Sequence, residues 1–135
     1  MKQEHLELKP RPAVLAAPGG LAFRPALGTR GRAALELFDS DGVLGVYVDT
    51  AFSGLLLGAL RGRRPGEAWA LAWGRVGADG RAPAVAFEGR RRGLPVSAAM
   101  VGQRFWVASA RGEFKTVTAA GPGRVETWRL GSLGA

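Results

Sequence analysis

The stretch Ala68–Val76, read Ala-Trp-Ala-Leu-Ala-Trp-Gly-Arg-Val, decides the fold class. Trp69, Leu71 and Trp73 recur at every second position, with Ala68, Ala70, Ala72 and Gly74 between them. A period of two is the side-chain period of a β-strand, and it sorts these residues onto opposite faces. One face carries two indoles and a leucine, which predicts a keel of the core. The other face is nearly bare, so a further layer can approach it closely.

The same reading extends in both directions. Upstream, Ala33–Phe38 and Val43–Asp49 flank Asp39-Ser40-Asp41-Gly42, a connection with strong turn chemistry, and predict a hairpin. On its second strand Leu44, Val46 and Val48 share one face, and Tyr47 takes the other. Leu55–Leu60 reads as a buried strand or a short helical turn, with Gly58 disfavouring the helix. Arg61–Gly66 is expected to be a basic loop leading into the tryptophan strand. Downstream, Ala84–Glu88 and Leu94–Val101 form a hairpin around Gly89–Gly93, Arg104–Ala110 alternates, and Phe114–Ala119 pairs with Arg124–Leu130. Nearer the start, Pro12–Ala17 reads as a short edge strand. Leu21–Arg32 reads as a loop anchored by Phe23 and Leu27.

Roughly nine or ten short strands at about ten-residue spacing predict an all-β domain. A single antiparallel β-sandwich is expected, with a small β-barrel as the alternative. Residues 1–11 are read as a mobile arm, 12–130 as the domain and 131–135 as a tail. The expected core comprises Leu35, Leu37, Val46, Val48, Trp69, Leu71, Trp73, Val85, Phe87, Phe105 and Val107. With 135 residues the chain suits one domain. Its 47% hydrophobic content and dispersed glycines and prolines fit a globular chain rather than a disordered one.

Composition narrows the chemistry. There is no cysteine, which removes disulfides and thiolate metal sites. His5 is the only histidine, so neither a Ser-His-Asp triad nor a multi-histidine metal site is expected. No phosphate loop or dinucleotide fingerprint occurs, and no cofactor is expected. The longest apolar run, Leu55–Leu60, is far short of the ~20 residues a membrane helix needs. The polar start MKQEHLELKP predicts no secretory leader, hence a cytoplasmic protein with no membrane partner.

The net charge of +8 is unevenly spread: residues 1–60 hold six basic and six acidic groups, residues 61–135 thirteen and five. That asymmetry predicts a basic surface on the C-terminal half. Its anion-binding candidates are Arg61, Arg63, Arg64, Arg90, Arg91 and Arg92. If both sets lie at one end of the sandwich they form a concentrated patch suited to phosphates, and nucleic acid becomes a partner. Trp128, sharing a face with Glu126 and Leu130, is an interface candidate. Asp39 and Asp41 are read as turn-stabilising rather than cation-binding.

One segment carries a resemblance. Val46–Leu55 reads VYVDTAFSGL, and Met100-Val101-Gly102 follows downstream. An apolar strand ending in Asp49-Thr50-Ala51, followed by a hydrophobic-hydrophobic-Gly motif, resembles the retropepsin-like aspartic proteases. The resemblance implies Asp49 as the catalytic carboxylate, with Thr50 beside it, one from each subunit of a dimer. Two such carboxylates would share a proton, because close like charges resist joint ionisation. Ala51 stands where that family has glycine. A compact β-domain with adhesive edges and no complete catalytic set points instead to a non-enzymatic binding or assembly module. Its expected partner is another protein or a second copy of itself.

Overall fold

The computed structural model describes residues 14–50, 53–64 and 66–132. Within them the chain forms β1 (Leu15–Ala16), β2 (Ala22–Leu27), β3 (Ala33–Asp39), β4 (Gly42–Val48), β5 (Leu56–Arg64), β6 (Glu67–Arg75) and β7 (Ala84–Glu88). The second half adds β8 (Gly93–Val96), β9 (Ala99–Val101), β10 (Phe105–Arg111), β11 (Thr116–Gly121), β12 (Arg124–Arg129) and β13 (Gly131–Ser132). These strands make three sheets, ordered β1-β2-β3-β4, β13-β5-β6-β10-β9 and β12-β11-β7-β8. All pairings are antiparallel except β13 with β5. The architecture is an all-β sandwich-like fold with no closed barrel.

The tryptophan strand β6 lies in the middle of the second sheet, and both of its faces are buried. Trp69, Leu71 and Trp73, with Phe105 and Val107 from β10, pack against Phe23, Leu35 and Leu37 of the first sheet. On the opposite face Ala70 and Ala72, with Trp106 and Ala108, pack against Val85, Phe87, Val117 and Ala119 of the third sheet. The bare face does admit a further layer, and the domain therefore has two core layers divided by one sheet.

Register explains how two indoles fit on one strand. Gly58 and Gly62 of β5 are the direct cross-strand partners of Trp73 and Trp69. A Cβ on Gly58 would lie 2.1 Å from Cζ2 of Trp73, and one on Gly62 would lie 2.2 Å from Cζ2 of Trp69. Each indole therefore folds over a bare α-carbon, and the glycines are needed for space. The Trp106 indole N–H donates to the Arg75 carbonyl at 3.1 Å. That of Trp73, by contrast, is buried with no partner among the described residues. Such an orphan donor costs about 1–3 kcal/mol, a cost the buried indole offsets by its apolar area.

Several expectations need correction. Leu21–Arg32 is not a loop: Ala22–Leu27 is a strand paired along β3. Among the described residues β1 pairs with β2 only at Ala22 and Phe23, so Pro25, which has no N–H to donate, meets no described strand on that side. Phe23 is fully buried, but Leu27 is exposed and anchors nothing. Arg61–Gly66 is mostly strand, since β5 continues to Arg64 opposite Glu67. Leu94–Val101 divides into β8 and β9, which belong to different sheets. The tail begins as structure, with Gly131 and Ser132 paired to Leu60 and Arg61.

The β3–β4 hairpin forms with Leu35 and Leu37 inward as expected, but its second strand has the opposite facing. Tyr47 lies opposite Leu35 and its ring meets Trp73 edge-on, with centroids 5.4 Å apart. Burial there pushes the Tyr47 hydroxyl above its ordinary pKa. Val46 therefore points outward and is 48% exposed, and Val48, on the same side, is not a core residue either. The alternation was right, but the aromatic ring took the inner side.

Candidate functional site

Three places in the structure bear on the candidate residues. The first is the end of the sandwich where β4 finishes and β6 runs out. Asp49 follows β4, and its N–H donates to the Ala33 carbonyl at 2.9 Å, fixing the side chain's direction. One carboxylate oxygen accepts from Arg104 at 3.0 Å, and the other lies 3.6 Å from the Arg75 guanidinium. Arg75 is held in turn by Nε donation to the carbonyls of Ser53 and Gly54, at 2.9 and 3.1 Å. The Thr50 N–H donates to the Ser53 hydroxyl at 3.1 Å, and the two hydroxyls lie 3.1 Å apart.

Asp49 is thus a tie between the first and second sheets, largely shielded from water and flanked by two cations. Met100 and Val101 lie on the edge strand β9, and Gly102 sits in the turn two residues before Arg104. The two pieces of the protease-like motif are therefore brought to the same end. Glu126 supports this end from the third sheet. It accepts from the N–H groups of Leu55 (2.7 Å) and Leu56 (3.0 Å), and from Arg124 Nε at 2.8 Å. Nothing in the sequence marked Glu126 as an anchor, because its partners lie some seventy positions away in the chain.

The second place is the opposite end. Arg61 and Arg63 lie on β5 opposite Ala70 and Ala68, so their side chains share the bare face of β6. Where that face runs out, a cavity of about 270 Å³ opens, lined by Arg61, Arg63, Trp69, Glu113, Phe114 and Ser132. A neighbouring groove of about 350 Å³ is lined by Gly89–Arg92 together with the same Glu113 and Phe114. The structure therefore brings the two arginine sets to one end, on either side of the turn between β10 and β11. Arg63 donates to the Glu113 carboxylate, and both side chains are mostly exposed. Arg61, Arg90, Arg91 and Arg92 form no ion pair with any described residue. Arg64 closes β5, and its side chain lies outside the described residues, as do residues 1–11 of the proposed arm.

The third place was not singled out by sequence. β4 is the outer strand of the first sheet, and among the described residues no strand lies beyond it. Its seven residues, Gly42–Val48, carry no charge and no proline. Val43, Leu44 and Val46 are each about half exposed along it. The register slips between Leu37 and Phe38, leaving Leu44 without a cross-strand partner. The rest of that outer face is closed by an Arg24–Glu36 ion pair, with the Arg24 guanidinium 4.3 Å above the Phe38 ring. The other outer strands are blunted: β1, β9 and β13 are two or three residues long, β8 contains Pro95, and β12 carries Arg124, Glu126 and Arg129. Trp128 lies on β12 and is 41% exposed, opposite the buried Val117.

Among the described residues no cluster of acidic, histidine or cysteine side chains has the spacing to hold a metal. No described helix is long and apolar enough to cross a membrane. Compared with known proteins, the chain matches no family model, no curated protein and no solved structure.

Proposed function

We propose that this chain is a non-enzymatic assembly module, and that β4 pairs antiparallel with β4 of a second copy across a two-fold axis. The observation that carries the reading is the open edge of the first sheet. A long, uncharged, apolar edge strand is a template for pairing, and proteins normally protect such edges. Among the described strands every other outer one is short, charged or interrupted by proline, and β4 is not.

Charge favours a second copy as the occupant. β4 begins at an acidic turn, where the Asp41 N–H donates to the Asp39 carboxylate at 2.8 Å and neither residue has a cationic partner among those described. It ends at Asp49, flanked by the two guanidiniums of Arg75 and Arg104, a site with one positive charge in excess. Antiparallel pairing about Gly45 sets the acidic turn of each copy beside the positive end of the other. The exposed apolar side chains then cover one another, and a two-fold contact closes on itself without forming fibres.

The test is the mass of the protein in solution, by light scattering on a sizing column, for wild type and Val46→Lys. Wild type is expected to be dimeric with a melting temperature that rises with protein concentration, and V46K monomeric, still cooperatively folded because Val46 is half exposed, with a melting temperature that no longer depends on concentration. A wild-type monomer at high micromolar concentration, or a V46K dimer, overturns the proposal. The dimeric aspartic protease centred on Asp49 makes a different demand. It needs the two Asp49 carboxylates facing each other, whereas pairing about Gly45 holds them about 27 Å apart.

A further inference from the structure

We propose that the arginine end of the sandwich binds single-stranded nucleic acid, with the phosphates in the two grooves that flank the Glu113–Phe114 turn. This is independent of the β4 contact, which uses a different sheet.

Three observations carry it. First, guanidiniums line both grooves: Arg61 and Arg63 on one side of the turn, Arg90, Arg91 and Arg92 on the other. All but Arg63 lack a carboxylate partner among the described residues. Free guanidiniums suit phosphate oxygens, which they can engage in bidentate fashion. Second, two grooves sharing one wall suit an extended chain with repeated charges better than a single compact anion. Among the described residues no polar or charged residue is fully buried, so none converges on either groove to define one small ligand. Third, a partly exposed aromatic lies on the strand that leads to this end. Trp128 is four residues before Ser132, which lines the Arg61 groove, about 13 Å of extended chain or two nucleotide steps away, and its indole offers a stacking surface that any base can use.

Glu113 gives the site its distinctive feature. It is the one carboxylate that lines both grooves, and it holds Arg63 in an exposed ion pair. Such a pair is screened by water and contributes little to stability, so a phosphate can replace the carboxylate at low cost. Glu113 therefore competes with the ligand, and removing its charge strengthens binding.

The probe is a fluorescein-labelled fifteen-nucleotide oligothymidylate, followed by anisotropy between about 50 and 200 mM salt. Binding is expected to weaken steeply with salt, as phosphate contacts release counterions. The R90A/R91A/R92A variant is expected to bind at least about tenfold more weakly with a shallower salt dependence, its melting temperature unchanged. E113Q is expected to bind severalfold more tightly. Three results overturn the proposal: no binding at the lowest salt, binding indifferent to the triple substitution, or polyglutamate competing as well as unlabelled oligonucleotide. The last would assign the patch to acidic protein partners instead.

Discussion

Both ends of the middle sheet carry arginines, and they use them differently. At the Asp49 end the guanidiniums are spent on the protein itself: Arg75 and Arg104 hold Asp49, and Arg124 holds Glu126. At the other end Arg90, Arg91 and Arg92 have no carboxylate partner among the described residues, and the pairs of Arg63 with Glu113 and of Arg111 with Glu67 are exposed. One end is closed by internal pairs and ties sheets together. The other leaves its charge outward, where it costs little and stabilises little. The contrast teaches that a count of arginines says nothing about a site until their partners are known.

The largest expected effect breaks the closed end. Glu126→Ala leaves the N–H groups of Leu55 and Leu56 without their acceptor, and should cost about 3 kcal/mol in urea unfolding. An unchanged midpoint would mean that the third sheet is not anchored there. Asp49→Asn keeps the shape and removes the charge. Arg104 is mostly exposed, so the loss should be smaller, about 1–2 kcal/mol by the same measurement. The R90A/R91A/R92A variant sharpens the contrast from the open end. Its stability should stay within about 0.5 kcal/mol of wild type, since these side chains form no ion pair with any described residue. A loss as large as that of D49N would erase the distinction between the ends.

The smallest effect concerns Tyr47, between the two ends. Burial raises its folded pKa above the unfolded value of 10.0, so its neutral form is favoured in the folded state. The corresponding stability is fully present below pH 10 and is lost as pH rises through the folded pKa. Tyr47→Phe should flatten the alkaline arm of a stability–pH curve. An identical arm in both proteins would assign the decline to other groups.

The strands were largely legible because alternation is a local property, and Ala68–Val76 showed both faces of the middle sheet. What alternation does not report is which face is inner. In β4, Leu44, Val46 and Val48 outweigh Tyr47 in apolar count, yet Tyr47 turns inward because Trp73 offers its ring a partner. The match of Gly58 and Gly62 to Trp73 and Trp69 was equally hidden, since it depends on the register of β5 against β6. The two arginine sets were visible as charge, but their meeting at Glu113 depends on a turn more than twenty residues further along. Asp49 drew notice through its motif, while its partners Arg75 and Arg104 lie 26 and 55 positions away. Pro25 misled in the other direction, because a proline reads as a break unless its place along β3, opposite Leu35, is known.

The open β4 edge is the central claim, and amide hydrogen exchange measured across protein concentration tests it most directly. If β4 pairs with a second copy, protection of the Gly42–Val48 amides rises with concentration, while the Gly89–Gly93 loop exchanges equally fast throughout. Exchange in β4 that is the same at every concentration would contradict the account.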